Sequence, residues 1–301
     1  MLNQLHTKGA PEHHGFPPAR LQSVPDLSKV FELTEDVLAE ALSFLAVRPV
    51  HTVVMTSFIH DNGFNAELNR GVFYGYRGQS GKIEGIALIG HSTLVETRSD
   101  AAMRALAFTA RTSRIPIHLI MAAGDDADSF WSAYSGGDQP RLRCEELLFE
   151  ASLPFLVQNS KWDVQEADIS DLEQIAEAQA AIAFMECGVD PMARDREGFL
   201  SRVARRIEQK RIFTVVENGV LIFKADVIAE AGDVVYLEGV FVAPSHRGQG
   251  VGSACLAKLT VDLLGRFSNI CLLSNVEYSD AHRSFRKAGY ASSDKCITLF
   301  V

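Results

Sequence analysis

The alternation of apolar and polar positions indicates two successive series of helices and strands behind a proline-rich start. Residues 1–28 carry several prolines and two adjacent histidines, a composition typical of a terminal tail or a surface arm. The pattern changes again after Pro154. A chain of 301 residues is long enough for two cores. We therefore predict three segments: a tail at 1–28, a first domain at 29–157 and a second domain at 158–301.

In the first domain, the spacing of apolar residues predicts helices, isolated strands and one hairpin. The first helix is expected to end at Pro49, and Ser99 is a suitable N-cap for the second. The predicted helices are Leu33–Ala46, Asp100–Thr112 and Asp125–Tyr134. The predicted strands are Val50–Ile59, Val72–Tyr76, Ile83–His91, Ile117–Ala122 and Leu142–Phe149.

The second domain repeats the order of helix, antiparallel hairpin, helix, strand, helix and strand. Its hairpin is marked by Asn218-Gly219, a strong local signal for a tight turn. The predicted helices are Ile169–Cys187, Asp195–Lys210, Gly250–Leu264 and Ser279–Ala288. The predicted strands are Val164–Ala167, Ile212–Val216, Val220–Ala229, Val234–Val242, Ile270–Ser274 and Ile297–Val301. The repeated order indicates a divergent internal duplication and an α+β fold.

The charge of the chain limits its partners. The formal net charge is −9, which argues against binding to nucleic acid because phosphates require a basic surface. This acidity is compatible with a cationic substrate such as an amine, although charge that serves only solubility is the better explanation. Apolar residues at 47% and charged residues at 22% are ordinary for a globular protein.

The five cysteines form no C-x-x-C pair, so we expect no metal site and no disulfide framework. Their odd number in apolar contexts favours buried free thiols in a reducing cytoplasm. No apolar run is long enough to span a membrane, and the N-terminus has no signal-peptide pattern. We therefore predict a cytoplasmic protein that does not associate with membranes.

The most informative stretch is a basic, glycine-rich turn between a strand and a helix. The strand ends before Pro244, the turn spans Arg247–Gly252, and small residues open the helix. Successive glycines let the backbone approach a pyrophosphate, and the N–H groups at the start of the helix point toward it. Other phosphate loops fit poorly, because the chain has no G-K-[ST] and Ser253 stands at the last glycine position of a dinucleotide fingerprint.

On these residues, the C-terminal part of the chain, roughly Asp163 to Val301, resembles the GNAT superfamily of acyl-CoA-dependent N-acyltransferases. The loop signature [QR]-x-x-G-x-[GA] is matched by Arg247, Gly250 and Gly252. The downstream family segment N-x-x-A-x-x-L-Y-x-K-x-G-F is similar to Tyr278–Tyr290. Its Ala, Lys and Gly positions agree at Ala281, Lys287 and Gly289, and Phe285 stands where a Tyr is common.

The resemblance implies that acetyl-CoA is the cosubstrate. The backbone of the predicted strand would pair with the pantetheine arm, the loop amides would hold the pyrophosphate, and the thioester would lie where the strands ending near Val242 and Ser274 splay apart. The implied cofactor-binding residues are Val240, Phe241, Val242, Arg247, Gly248, Gln249, Gly250, Val251, Gly252, Ser253 and Asn275.

The resemblance also implies direct attack of an amine on the thioester, which needs a base for the amine proton. Glu238 is the candidate base, since many members carry a Glu at this place and strand alternation would put it on the face of Val240 and Val242. Tyr278 is the candidate general acid at a shifted position, because Phe285 has no proton to donate.

The whole chain looks like two-lobed members of this superfamily whose N-terminal lobe is a degenerate GNAT-like domain. We therefore expect two tandem GNAT-like domains, each with a mixed, mostly antiparallel sheet flanked by helices. The predicted activity is N-acetyl transfer to a small-molecule or peptide amine, in a protein that could form a homodimer. Two alternatives stay open: a non-catalytic acyl-CoA-binding sensor, and a purely structural or dimerising first lobe.

Overall fold

A computed structural model describes residues 25–153 and 160–301. The described residues form one 12-stranded, mostly antiparallel sheet with helices on its faces. The strands are β1 (Val30–Glu32), β2 (Gly71–Arg77), β3 (Ile83–Gly90), β4 (Ser92–Thr97), β5 (Leu119–Ala123), β6 (Leu142–Ser152), β7 (Gln165–Glu166), β8 (Ile212–Glu217), β9 (Val220–Ala231), β10 (Val234–Val242), β11 (Asn269–Asn275) and β12 (Ala291–Phe300). The helices are α1 (Leu38–Leu45), α2 (Pro49–Asn62), α3 (Asp100–Thr112), α4 (Asp126–Ser135), α5 (Leu172–Cys187), α6 (Pro191–Arg194), α7 (Arg196–Glu208), α8 (Val251–Leu264) and α9 (Ser279–Lys287).

The N-terminal half (25–153) and the C-terminal half (160–301) repeat one topology. In the first, β1 to β4 are joined antiparallel in chain order, and β4 pairs with β5 in parallel. In the second, β7 to β10 are joined in the same way, and β10 pairs with β11 in parallel. The mixed, mostly antiparallel fold predicted from the sequence is therefore confirmed.

The two halves exchange their last strands at the centre of the sheet. Strand β12 lies between β5 and β6, and β6 lies between β11 and β12. Each half thus receives, next to its own parallel pair, a strand that belongs to the other half. The backbone hydrogen bonds of neither half are complete without this exchange.

Apolar packing follows the exchanged strands. From β6, Phe149 is fully buried in the core of the C-terminal half and meets Phe285 edge-on, with ring centroids 5.5 Å apart. From β12, Ile297 and Leu299 are buried in the core beneath α3 and α4. Since burying one large apolar side chain contributes about 1.5–3 kcal/mol, these residues tie the stability of each half to the other.

Most of the predicted elements are confirmed. Both predicted hairpins form, including the one at Asn218-Gly219, and β10 has the predicted bounds Val234–Val242. Ser99 caps α3 by accepting a hydrogen bond from the Ala102 N–H at 3.3 Å. The strands β1 and β4 were missed, because each is short and adjoins a stronger neighbouring signal.

The predicted strand Val50–Ile59 is wrong, because these residues form the helix α2. Pro49 starts this helix as its first residue instead of ending the previous element, a position that suits a residue without an N–H. The helix lies between two cores: Met55 and Ile59 face α1, and Val53 faces Tyr236 across the halves. A helix that is buried on two sides loses the one-sided apolar stripe by which helices are recognised.

The predicted tail up to residue 24 and the predicted boundary between 157 and 158 lie outside the described residues. Within 25–153 and 160–301, no helix has the length and apolar character needed to cross a membrane.

Candidate active site

The two parallel strands of the C-terminal half separate and open a cleft. Strands β10 and β11 pair only from Val234 with Asn269 to Leu237 with Leu272, and they diverge beyond these residues. The cleft has a volume of about 800 Å³ and extends from the Arg247–Gly252 turn to the strand β6. This size is in the range of small-molecule sites.

The turn at one end of the cleft has the backbone of an anion site. Gly248 and Gly250 have φ angles of +75° and +81°, a region that side chains other than glycine rarely adopt. Gly250 is the N-cap of α8, and the first turn of this helix carries no acidic residue. Because the first N–H groups of a helix have no intrahelical acceptor, they are available at the wall of the cleft.

Gly252 is required for a different reason, namely close packing. A Cβ at this position would lie 3.1 Å from the Ser284 hydroxyl on α9 and 3.1 Å from the Val242 side chain on β10. Glycine therefore lets the first turn of α8 approach both elements. Ser253 holds the same turn through its hydroxyl, which donates to the Gly250 carbonyl at 3.1 Å.

Basic side chains lie around the turn, and one of them, Arg283, forms an ion pair with Asp280. Arg247, His246, Arg283 and Lys287 line this end of the cleft. The Arg247 Nε donates to the Val242 carbonyl at 3.0 Å, so the side chain is held against the end of β10. Gln249 does not line the cleft, because its amide donates back to the Ser245 carbonyl at 2.8 Å.

The middle of the cleft is shaped by a bulge in β10. Glu238 pairs with Asp226 and Phe241 with Lys224, so β10 has one residue more than β9 between these pairs. Gly239, in this bulge, has a φ of +62°. The expectation that Glu238 and Val242 share a face is therefore wrong, because the extra residue reverses the alternation of the strand.

Glu238 is held in the cleft by protein groups. The buried Tyr236 donates a hydrogen bond to its carboxylate, and Arg206 and Lys224 place positive charge nearby. Burial nevertheless raises the pKa of Glu238 above its usual value, since desolvation outweighs these favourable contacts. A carboxylate of this kind is suited to accept a proton near neutral pH.

Two further carboxylates line the same end of the cleft. Burial and the charge of Glu238 raise the pKa of Glu146, on β6, to about 7, although the Thr298 hydroxyl donates to it at 2.5 Å. Burial against the cleft and the charges of Glu238 and Glu146 raise the pKa of Glu186, on α5, to about 7. Because the Glu186 side chain is exposed, solvent screens part of this shift.

The remaining predicted residues lie at the mouth of the cleft. Asn275 ends β11, and its side-chain oxygen accepts the Glu277 N–H at 2.9 Å, which closes a turn. Tyr278 lies just before α9, half-buried, with its hydroxyl 3.5 Å from the Met185 carbonyl. Burial raises the pKa of Tyr278, which keeps the phenol protonated. Phe285 is buried in the core.

The cleft therefore has two chemically different ends. The glycine-rich end presents backbone N–H groups with Arg247, and the opposite end presents the carboxylates of Glu146, Glu186 and Glu238. Glu277 and Asp280, at the start of α9, also line the cleft. The structure brings the predicted site residues other than Gln249 to one cleft. Sequence reasoning missed Glu146 and Glu186, because neither lies near a motif and only the exchanged strand brings Glu146 to this site.

The part of the chain that forms this cleft is similar to GNAT acetyltransferase domains. Residues 208–292 match the family model described as "Acetyltransferase (GNAT) domain", a range that includes β10, the glycine-rich turn, α8 and α9. The resemblance to the GNAT superfamily inferred from the sequence is thus confirmed. No curated protein sequence is significantly similar to the chain.

Solved structures share the two-lobed arrangement at low identity. A tandem GNAT protein from the clavulanic acid biosynthesis pathway has a TM-score of 0.59 at 12% identity, covering 90% of this chain and 97% of that chain. A GNAT-family acetyltransferase from Colwellia psychrerythraea has a TM-score of 0.55 at 13% identity, covering 90% and 99%. A Drosophila protein has a TM-score of 0.65 at 12% identity, covering 91% and 98%. At these identities the likeness shows the fold.

Proposed function

We propose that the protein is an N-acetyltransferase that moves the acetyl group of acetyl-CoA to a primary amine. The observation that carries this proposal is the distribution of charged groups along this cleft. An anion-binding turn at one end suits the pyrophosphate of the cosubstrate, and a group of carboxylates at the other suits a cationic amine. The GNAT domain match over residues 208–292 supports acetyl transfer as the reaction.

The residues of the glycine-rich end fit acetyl-CoA. The N–H groups of the turn and of the first turn of α8 would bind the pyrophosphate, with Arg247 adding charge beside them. The diverging ends of β10 and β11 leave backbone groups of Val240 available for the pantetheine arm. Bound acetyl-CoA supplies an acyl thioester, whose carbonyl carbon is the electrophile.

The acidic end would prepare the nucleophile. Glu238 accepts the proton that the amine nitrogen loses as it attacks, and its raised pKa makes it a stronger proton acceptor than an exposed carboxylate. Tyr278 is the candidate donor to the departing sulfur, since its phenol stays protonated and lines the cleft. All five cysteines are free thiols, which is consistent with the cytoplasmic location that we propose.

The test is turnover of acetyl-CoA with a panel of primary amines by wild-type protein and by Glu238→Gln. We expect wild-type turnover and a loss of kcat in the variant of about 10²–10⁴-fold, the usual contribution of a positioned general base. Binding of acetyl-CoA, followed by calorimetry, should remain unchanged in Glu238→Gln. Equal activity of the two proteins would remove Glu238 as the base.

A non-catalytic acyl-CoA sensor is the second candidate. It is favoured by Phe285, which is buried where a proton-donating Tyr is common in the superfamily. The same measurements separate the two functions, since tight binding of acetyl-CoA without turnover on any amine would support the sensor.

A further inference from the structure

The strand exchange has a consequence at the acidic end of the cleft. Glu146 belongs to β6, the last strand of the N-terminal half, yet it pairs with Asn275 at the end of β11 in the C-terminal half. On its other side it pairs with Cys296 of β12. The N-terminal half therefore contributes a side chain directly to the cleft formed by β10 and β11.

Register determines where the Glu146 carboxylate points. Along β6, Leu148 lies on the same face as Glu146 because they are two residues apart. Leu148 is buried beside Tyr236, and Tyr236 shares its face of β10 with Glu238. Glu146 and Glu238 thus lie on one face of the sheet, on either side of β11.

The groups around Glu146 make it a partly desolvated acid. The Thr298 hydroxyl on β12 donates to it, while Glu238 on β10 and Glu186 on α5 face it with like charge. Further neighbours are the phenols and thiols that its charge influences, namely Tyr236, Tyr278, Cys144 and Cys296. Among the described residues, none forms a salt bridge to Glu146 within 4.0 Å, so no protein cation there competes directly with an incoming ammonium group.

We infer that Glu146, supplied by the N-terminal half, is a catalytic residue that binds the ammonium group of the acceptor and accepts its first proton. This inference rests on the proposed acetyl transfer and assigns a second carboxylate to it. It also defines the acceptor as an amine that enters the cleft as a cation, because three carboxylates line this end of the cleft.

The protons of the reaction balance with two carboxylates. The ammonium nitrogen carries three protons, and the product amide keeps one. Glu146 takes the first proton and later releases it to solvent, which leaves a neutral amine with a free electron pair. As the new N–C bond forms and the C–S bond breaks, Glu238 takes the second proton from nitrogen and Tyr278 protonates the departing sulfur. The proton held by Glu238 then restores the Tyr278 phenol.

The test compares Glu146→Gln with Glu145→Gln as a matched control. Glu145 is the adjacent residue of β6, is exposed, and makes a surface ion pair with Arg143 at 2.7 Å. The pH dependence of kcat/KM is measured for acetyl-CoA with butylamine, 1,4-diaminobutane and spermidine. Binding of acetyl-CoA and of 1,4-diaminobutane is measured in parallel by calorimetry.

In wild-type protein, kcat/KM should rise with pH through about 7, because Glu146 must be deprotonated to accept a proton. Glu146→Gln should lower kcat/KM at neutral pH by about 10²-fold. Its acid limb should also move to lower pH, since the remaining carboxylates lose a neighbour of like charge. Glu145→Gln should match the wild type in both respects.

Unchanged kcat/KM and an unchanged pH profile in Glu146→Gln would overturn the inference while the proposed function stands. If wild-type protein binds acetyl-CoA but acetylates no amine, the proposed function fails instead. Calorimetry then tests whether Glu146 binds the ammonium group. The inference is overturned if 1,4-diaminobutane binds Glu146→Gln as tightly as it binds Glu145→Gln. It is also overturned if 1,4-diaminobutane does not bind the wild-type protein.

Discussion

Lys224 is a charged residue enclosed by the protein. Its side chain is fully buried, and its ammonium contacts the Asp226 carboxylate at 2.8 Å, the Gln179 side-chain oxygen at 2.6 Å and the Gly239 carbonyl at 3.1 Å. Desolvation lowers its pKa, and Asp226 opposes this effect. Because the Gly239 carbonyl belongs to the bulge in β10, Lys224 fixes the strand at the point where the cleft opens.

We therefore predict that Lys224→Met destabilises the fold by up to about 3–5 kcal/mol, since it leaves the buried Asp226 with only the more distant Arg206, at 3.4 Å, as a cationic partner. Urea unfolding at neutral pH provides the measurement. The double variant Lys224→Met/Asp226→Leu is the control, because it removes both charges and should recover much of the loss. A single variant as stable as the wild type would contradict this account of the pair.

The residues of the site differ in how far the sequence could predict them. The Arg247–Gly252 turn was predictable, because its glycines and charge are adjacent in sequence and their φ angles and packing follow from residue type. Glu238 was predictable as a carboxylate near the end of a predicted strand. The face of the strand on which Glu238 lies could not be predicted, because the bulge interrupts the alternation of side chains and the sequence does not mark its position. Glu146 depends on a pairing between residues distant in the chain.

At the scale of elements, the turn before α8 offers a direct test of the anion site. Gly250 and Gly232 both have positive φ angles, and a Cβ at either position would meet no atom within 4 Å. They differ in place, since Gly250 lines the cleft and Gly232 lies in the hairpin between β9 and β10. Strain and ligand binding can therefore be separated.

We predict that Gly250→Ala and Gly232→Ala each lower the free energy of unfolding by about 1–2 kcal/mol, the strain of a left-handed residue with a side chain. Only Gly250→Ala should weaken acetyl-CoA binding, because relief of the strain displaces the N–H groups at the start of α8. Urea unfolding and calorimetric titration measure the two effects. Equal acetyl-CoA affinity in both variants would argue against the turn as the pyrophosphate site.

The wrong prediction of a strand at α2 shows where the spacing of apolar residues fails to identify a helix. Its apolar residues face α1 on one side and the C-terminal half on the other, and the small polar side chains of Thr52 and Ser57 are buried among them, so the helix has no single apolar stripe. Such a run is indistinguishable by pattern from a buried strand. The second side is formed by residues more than a hundred positions away, which no local window includes.

At the scale of the whole molecule, the exchanged strands predict one cooperative unfolding transition. The two tryptophans report on different halves, because Trp131 lies on α4 and Trp162 lies near the start of the C-terminal half. The variant Trp131→Phe keeps only Trp162, and Trp162→Phe keeps only Trp131. In each variant, the change of tryptophan fluorescence in urea should occur at the same urea concentration as the loss of helical circular dichroism. Fluorescence that reports one half unfolding before the helix signal is lost would show independent units.

The exchange of β6 and β12 also bears on the history of such a chain. After a duplication, two complete copies could diverge freely, and either one could be deleted without harm to the other. Once the last strand of each copy paired within the sheet of the other copy, deletion of one copy would remove a strand from the remaining sheet. The missing strand would be the one next to the parallel pair of the remaining copy. In the N-terminal half, the turn between β4 and α3, which corresponds to the glycine-rich turn before α8, contains no glycine. The need of the C-terminal half for β6 would by itself be enough to preserve such a half during evolution.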